Sequence, residues 1–171
     1  MDSDAWSYKW SGVALGWDGL LYCAPYNASS VLLIDPKAQS CSLLEGAGTR
    51  ECKWSGIAAG IDGRLYCMPA RATTVLVVDP ERQVIADLDD LGRGNAKWSG
   101  VGVGLDRWLY GVPYNSSRVL VINPQVKTLT YCLGAGMGRR KWHGISAGRD
   151  GCLYCAPHAS SAVLIIEPWS R

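Results

Sequence analysis

Apolar residues along this chain fall in short clusters separated by polar, glycine- or proline-bearing turns, and the clusters recur in the same order four times. Each unit opens on a segment of small apolar residues, such as Gly12-Val13-Ala14-Leu15-Gly16 or Gly100-Val101-Gly102-Val103-Gly104. Asp18-Gly19, Asp62-Gly63 and Asp150-Gly151 follow, with Asp106-Arg107 as the exception. Asp-Gly between apolar runs signals a hairpin, and a two-residue turn requiring positive φ is expected there. A second run ends in proline (Leu21-Tyr22-Cys23-Ala24-Pro25, for example), which stops ladder pairing. A third is apolar at every position (Val31-Leu32-Leu33-Ile34, Val75-Leu76-Val77-Val78), so it must be covered on both faces. A fourth, more polar run such as Thr128-Leu129-Thr130-Tyr131-Cys132 leads through a glycine-rich connection to the next unit. The pattern predicts strands throughout.

The units are marked by Lys9-Trp10-Ser11-Gly12, Lys53-Trp54-Ser55-Gly56, Lys97-Trp98-Ser99-Gly100 and Lys141-Trp142-His143-Gly144, with successive tryptophans 44 residues apart. A fixed period in this range indicates a repeat architecture. Four short antiparallel strands per period indicate propeller blades rather than a stacked solenoid, whose coils are shorter and lack these hairpins. The expected fold is all-β and β-propeller-type: four four-stranded blade repeats of about 44 residues, the last incomplete. One domain is expected over 1–171, with repeats 10–53, 54–97, 98–141 and 142–171 after a leader, 1–9. The fourth unit stops at Trp169-Ser170-Arg171 with no counterpart of the fourth strand, and residues 1–8 are too short and out of phase to supply it. Because propellers close with about 4–8 blades, three completions follow, in this order. Two copies close one ring, another protein covers the open faces, or the chain alone makes a tight four-bladed ring.

Gly-Val-Ala-x-Gly, x-Asp-Gly-x-Leu-Tyr and x-x-Val-Leu-x-Ile-Asp-Pro resemble blades of the NHL-repeat and gluconolactonase/regucalcin class. The Lys-Trp-x-Gly opening is similar to a repeat found in propeller-like proteins of protists and algae. The resemblance runs from Trp10 to Pro168 and implies blade architecture; one fold hosts many activities. Gluconolactonase-like relatives hold a channel metal with acidic and Asn side chains. The first strands here offer only Gly, Ala, Val, Ile, Leu and Ser, so that metal site does not carry over. Asn27 and Asn115 lie in loops that approach the channel, but no Glu accompanies them.

Composition narrows the classes. Hydrophobic residues make up 48%, charged residues 19%, and net charge is +2, against both disorder and a nucleic-acid-binding tail. No run reaches the ~18–20 apolar residues that span a bilayer. Met1-Asp2-Ser3-Asp4-Ala5-Trp6 is unlike a signal peptide. A soluble intracellular protein is expected, in cytoplasm or an organelle interior. Seven cysteines, an odd number, argue against a closed disulfide framework. Cys23, Cys67 and Cys155 share one repeat position and read as small buried hydrophobes. In Cys152-Leu153-Tyr154-Cys155 the two thiols point to opposite faces of a strand, which a single metal could not bridge.

Blade connectivity sorts charge onto two faces. The connections between blades and the loops after the second strands carry ten of the seventeen basic residues, including Arg50, Arg71, Arg118, Arg139 and Arg140. The opposite turns carry Asp18, Asp35, Asp62, Asp79, Glu81, Asp106, Asp150 and Glu167. The basic face suits an anionic ligand or an acidic protein surface. Its candidate ligand- or partner-facing rim comprises Lys9, Trp10, Lys53, Trp54, Lys97, Trp98, Lys141, Trp142, His143, His158, Asn27 and Asn115. Each rim lysine can equally lie over its tryptophan in a cation–π contact of ~0.5–1 kcal/mol, and recurrence in all four units favours that. His143 breaks the repeat by replacing serine. Gly134-Ala135-Gly136-Met137-Gly138 precedes a strand and lacks Gly-Lys-Ser/Thr, so it is no phosphate loop.

No catalytic residue, metal or cofactor is assigned. The function expected is a non-catalytic interaction or scaffold module, an accessory subunit or half-propeller completed by self-association or by another protein subunit. A lactonase-like or small-molecule-binding propeller with a site in the channel is the alternative.

Overall fold

The computed structural model describes residues 8–132 and 134–168; the leader residues 1–7, residue 133 and residues 169–171 lie outside the described part. All fifteen described elements are strands. The first sheet holds β1 (Trp10–Leu15), β2 (Leu21–Pro25), β3 (Ser30–Asp35) and β4 (Ser40–Glu45). The second holds β5 (Trp54–Ala59), β6 (Leu65–Pro69), β7 (Val75–Asp79) and β8 (Val84–Leu88). The third holds β9 (Trp98–Val103), β10 (Leu109–Pro113), β11 (Val119–Asn123) and β12 (Thr128–Cys132). The last holds β13 (Trp142–Ala147), β14 (Leu153–Pro157) and β15 (Leu164–Ile166). Strands pair in sequence order within each sheet, always antiparallel, which is the meander of a propeller blade. No described helix is long and apolar enough to cross a membrane.

The Asp-Gly turns are longer than the two-residue loops expected from sequence. Leu15 pairs with Leu21, and Gly16 N–H donates to the Leu20 carbonyl while Gly19 N–H donates back to Gly16. The chain turns through Gly16–Gly19 and closes with Gly19 at φ 85°, the longer hairpin in which a left-handed residue completes a bulge. Asp18 fixes this geometry. Its carboxylate accepts from Leu20 N–H at 3.1 Å and from the Tyr22 hydroxyl at 2.6 Å. Asp62–Tyr66, Asp106–Tyr110 and Asp150–Tyr154 repeat the pair. Aspartate therefore serves as the turn's internal acceptor in every blade.

The cores lie between blades. Tyr22, Ala24, Val31 and Leu33 of the first sheet bury against Trp54, Ile57, Leu65, Cys67, Leu76 and Val78 of the second. The same positions meet again between the second and third sheets, and between the third and fourth. The all-apolar third strands make this possible, since each presents alternate side chains to its two neighbours. Near the axis the first strands approach so closely that a Cβ on Gly56 would lie 2.8 Å from the Gly100 Cα. Gly56 also sits at φ 85°, within the register shift between Trp54 and Ile57, so both sterics and backbone require glycine.

Packing of first strands runs β1 on β5, β5 on β9 and β9 on β13. Strands β1 and β13 are not among the packed pairs, so the described blades form an open arc. This corrects the tight four-bladed ring that the sequence left possible. The two ends show it in their exposure. Tyr154 is 36% exposed where Tyr22, Tyr66 and Tyr110 are fully buried, and Ile165 is 53% exposed where Leu33, Val77 and Val121 are buried. At the other end Val13 and Leu43 are more than half exposed.

Candidate functional site

The connections between blades and the loops after β2, β6, β10 and β14 meet on one face, as the connectivity requires. The Lys9 carbonyl accepts from Tyr26, Asn27 and Ala28 N–H, pinning the first such loop to the start of its own blade. On the opposite face Arg64 bridges Asp62 and Asp79 at 3.2 and 3.0 Å. The blade connections and the Asp-bearing turns thus lie at opposite ends of the strands.

The rim lysines occupy two different states. Lys53, Lys97 and Lys141 are buried, and their ammonium groups are held by backbone carbonyls. Lys53 Nζ donates to Ala28 at 2.8 Å and Arg50 at 2.7 Å; Lys97 Nζ to Ala72 and Gly92, both at 2.7 Å; Lys141 Nζ to Ser116 at 2.7 Å and Gly138 at 3.3 Å. Ala28, Ala72 and Ser116 each belong to the loop of the preceding blade. Each lysine thus clamps the blade behind it with its ammonium and its own blade's loop with its carbonyl. Its Nζ also lies 5.6–5.9 Å from the ring centroid of the following tryptophan, within cation–π range. Burial lowers the pKa of all three ammonium groups. Lys9 differs: it is exposed, with no described blade behind it.

The tryptophans serve the same framework. Indole N–H of Trp10, Trp54, Trp98 and Trp142 donates to the carbonyl of Ser30, Thr74, Arg118 and Ala162, at the start of each blade's third strand. Trp54, Trp98 and Trp142 are buried; Trp10 is half-buried. Asn27 Oδ1 accepts from Cys52 N–H and Asn115 Oδ1 from Arg140 N–H, each fastening a loop to the next connection. Serine hydroxyls form a further run across blades: Ser11 to Ser55 at 3.4 Å, Ser55 to the Ser99 carbonyl, and Ser99 to the Trp142 carbonyl.

Two parts of the rim stay open to solvent. His143 and His158 are exposed and gather with Tyr114 in ring contacts at the last blade, Tyr114 lying edge-on to His158 at 5.5 Å between centroids. Arg50, Arg71, Arg118, Arg139 and Arg140, in the loops and connections of the same face, are exposed as well. Between the first two blades a cleft of about 350 Å³ is lined by Arg50, Lys53, Trp54, Arg71, Thr74 and Asp87 among others. Tyr26, beside Cys52, Arg71 and Tyr114, has its phenol pushed up to about 12, first by burial and then by its hydrogen bond with Cys52. Among the described residues, no group of three or more His, Cys, Asp or Glu is placed to hold a metal ion. The rim therefore splits into a buried skeleton (Lys53, Lys97, Lys141 and their tryptophans) and an accessible set (Lys9, His143, His158). Sequence reasoning missed the carbonyl clamps.

No protein-family model and no curated protein matches the sequence. Solved structures do. The fold is similar to virginiamycin B lyase from Staphylococcus aureus, with TM-score 0.73 and 14% identity over 92% of this chain and 52% of that one. Hydrazine synthase of Kuenenia stuttgartiensis gives TM-score 0.71 and 18% identity over 98% of this chain and 49% of that one. An auxiliary nutrient-binding protein from Bacteroides ovatus gives 0.68 and 12% over 93% and 45%. The shared feature is β-propeller architecture, and the chain spans about half the length of these neighbours.

Proposed function

We propose that this chain is a non-catalytic interaction module, an arc of propeller blades whose two apolar end faces dock against further blade-like surface in an assembly. One observation carries the reading. Positions fully buried at each internal blade junction are exposed at the arc's ends, as Tyr154 is beside Tyr22, Tyr66 and Tyr110. Ile165 pairs with Tyr154 on the terminal sheet and Val163 stands just before its strand, both about half exposed. Burying each aliphatic side chain stabilises by ~1.5–3 kcal/mol, so covering these faces is strongly favourable. The assigned chemistry supports an accessory rather than an enzymatic role: the repeated Asp, Lys and Trp side chains are engaged in turns, clamps and strand contacts. The Asp-Gly-x-Leu-Tyr and Val-Leu-x-Ile-Asp-Pro segments support NHL-like blades, and seven unpaired thiols support a reducing, intracellular setting.

The test is gel filtration of a native extract of cells expressing the chain, followed by immunodetection. Wild type elutes well above the 18.5 kDa of one copy, and Ile165→Asp, which places a charge on the end face, elutes at one copy. Elution of both at the single-copy position refutes the reading.

A further inference from the structure

We infer that the surface covering each end face is the opposite end face of a second copy, so that two arcs close head to tail into one ring of eight blades. This rests on the reading of the end faces as docking surfaces and names their partner.

The molecule already contains this interface three times. At every internal junction the back of one blade meets the front of the next through fixed residue types. Among the described residues the arc leaves one front unpaired, on the first sheet, and one back unpaired, on the last. The unpaired back offers Tyr154, Ala156, Val163 and Ile165, and the unpaired front offers Trp10, Leu21, Leu32 and Ile34, none of them fully buried. Their repeat equivalents pack together within the chain.

Polar contacts specify the pairing more sharply. Each internal lysine seats its ammonium on a loop carbonyl one blade back, and its own N–H donates to a second: Lys53 to Tyr26, Lys97 to Ala70, Lys141 to Tyr114. By the same repeat, Lys9 of a second copy meets Ser160 and His158 of this one. Gln83 of the second blade donates to the Tyr22 hydroxyl of the first at 3.1 Å. Its equivalent Gln39, at φ 51° against 53°, then reaches the free end's Tyr154. The exposed lysine and the exposed tyrosine are thus the two halves of contacts already made inside the chain. A head-to-tail contact gives a closed ring if its rotation closes and a filament if it does not. Two four-blade arcs make eight blades, within the range in which propellers close.

Purified chain is measured by native mass spectrometry, and cross-linking reports the orientation. The expected mass is two copies of 18.5 kDa. Ser11 and Ser55 hydroxyls stand 3.4 Å apart at an internal junction, and the closing junction places Ser11 beside His143 of the second copy. Mixing Ser11→Cys chain with His143→Cys chain under mild oxidation therefore gives a disulfide-linked pair of one chain of each kind. Wild type, with its native thiols, and either variant alone do not. Lys9→Met, which leaves the single chain's contacts intact, weakens association about 10- to 100-fold, the effect expected for losing a charged hydrogen bond at an interface. A single-copy mass, an open-ended series of masses, or cross-linking of Ser11→Cys to itself overturns the ring. A single-copy mass for purified chain that still elutes large in native extract overturns the second copy alone and leaves the docking module standing.

Discussion

Lys97 and Lys9 occupy the same place in the repeat, yet the structure assigns them opposite energetic weight. Replacing Lys97 by Met keeps the apolar stem and volume, with a packing cost under about 1.5 kcal/mol. It removes two ammonium–carbonyl contacts of 2.7 Å and a cation 5.7 Å from the Trp98 ring. Hydrogen bonds to charged groups contribute ~1.5–3 kcal/mol each, and the cation–π contact up to ~2. Against this, the folded protein no longer has to desolvate an ammonium, a cost of several kcal/mol. The balance is a loss of roughly 2–4 kcal/mol, dominated by the Ala72 and Gly92 carbonyls losing their donor. For a chain of this size that lowers Tm by about 5–15 °C. Lys9→Met, on an exposed side chain, changes the stability of dilute protein by under about 0.5 kcal/mol. Urea and thermal unfolding followed by Trp fluorescence, at protein concentrations below the association range, measure both. Equal costs, or a Lys97→Met protein as stable as wild type, would refute the clamp as a stabilising device.

Other expectations follow from individual positions. Arg107 holds φ 66° where the other blades use glycine, so Arg107→Gly relieves ~1–2 kcal/mol of backbone strain against a smaller unfolded-state penalty. Net stabilisation near 0.5–1 kcal/mol is expected by urea titration, and a destabilised variant would contradict it. Gly56→Ala collides with Gly100 backbone and costs ~2–5 kcal/mol, whereas Gly134→Ala, with open space around it, costs only ~1–2; comparable Tm losses would sink that account. Alkali should unfold the protein. Burial, then the Asp18 hydrogen bond, pushes the Tyr22 phenol up to about 12, and burial pushes the Cys155 thiol to about 12. These acids stay protonated in the fold while the unfolded chain ionises. Their stabilisation is present below the unfolded pKa and is lost as pH climbs from about 9–10 toward 12. A urea midpoint unchanged between pH 8 and 11 would contradict this, and Tyr22→Phe should flatten the decline.

The blade count, strand order and buried third strands were legible because they depend on periodicity, and a 44-residue spacing without insertions carries it intact. The length of the Asp-Gly turn was not. Asp-Gly fits two hairpin loops, and the choice of the longer one rests on Gly16, whose N–H and carbonyl close the turn. The rim was half legible. Lys before Trp in every unit marked a structural pair, but what the ammonium meets is backbone carbonyl, which every residue carries and no residue type announces. Lys9 and Lys53 are therefore indistinguishable as letters. They differ only in whether a blade stands behind them. The same holds for Tyr154 against Tyr22: identical motif, opposite exposure, decided by the arc being open.

Hydrogen–deuterium exchange of the purified chain over a hundredfold concentration range shows whether each end face is covered by the opposite end face of a second copy. Rising concentration should slow exchange in the first blade (Trp10–Leu15, Leu21–Pro25) and the last (Leu153–Pro157, Leu164–Ile166). The second and third blades, whose faces are already covered, should not change. Protection that is independent of concentration, or that rises equally in all four blades, would contradict it.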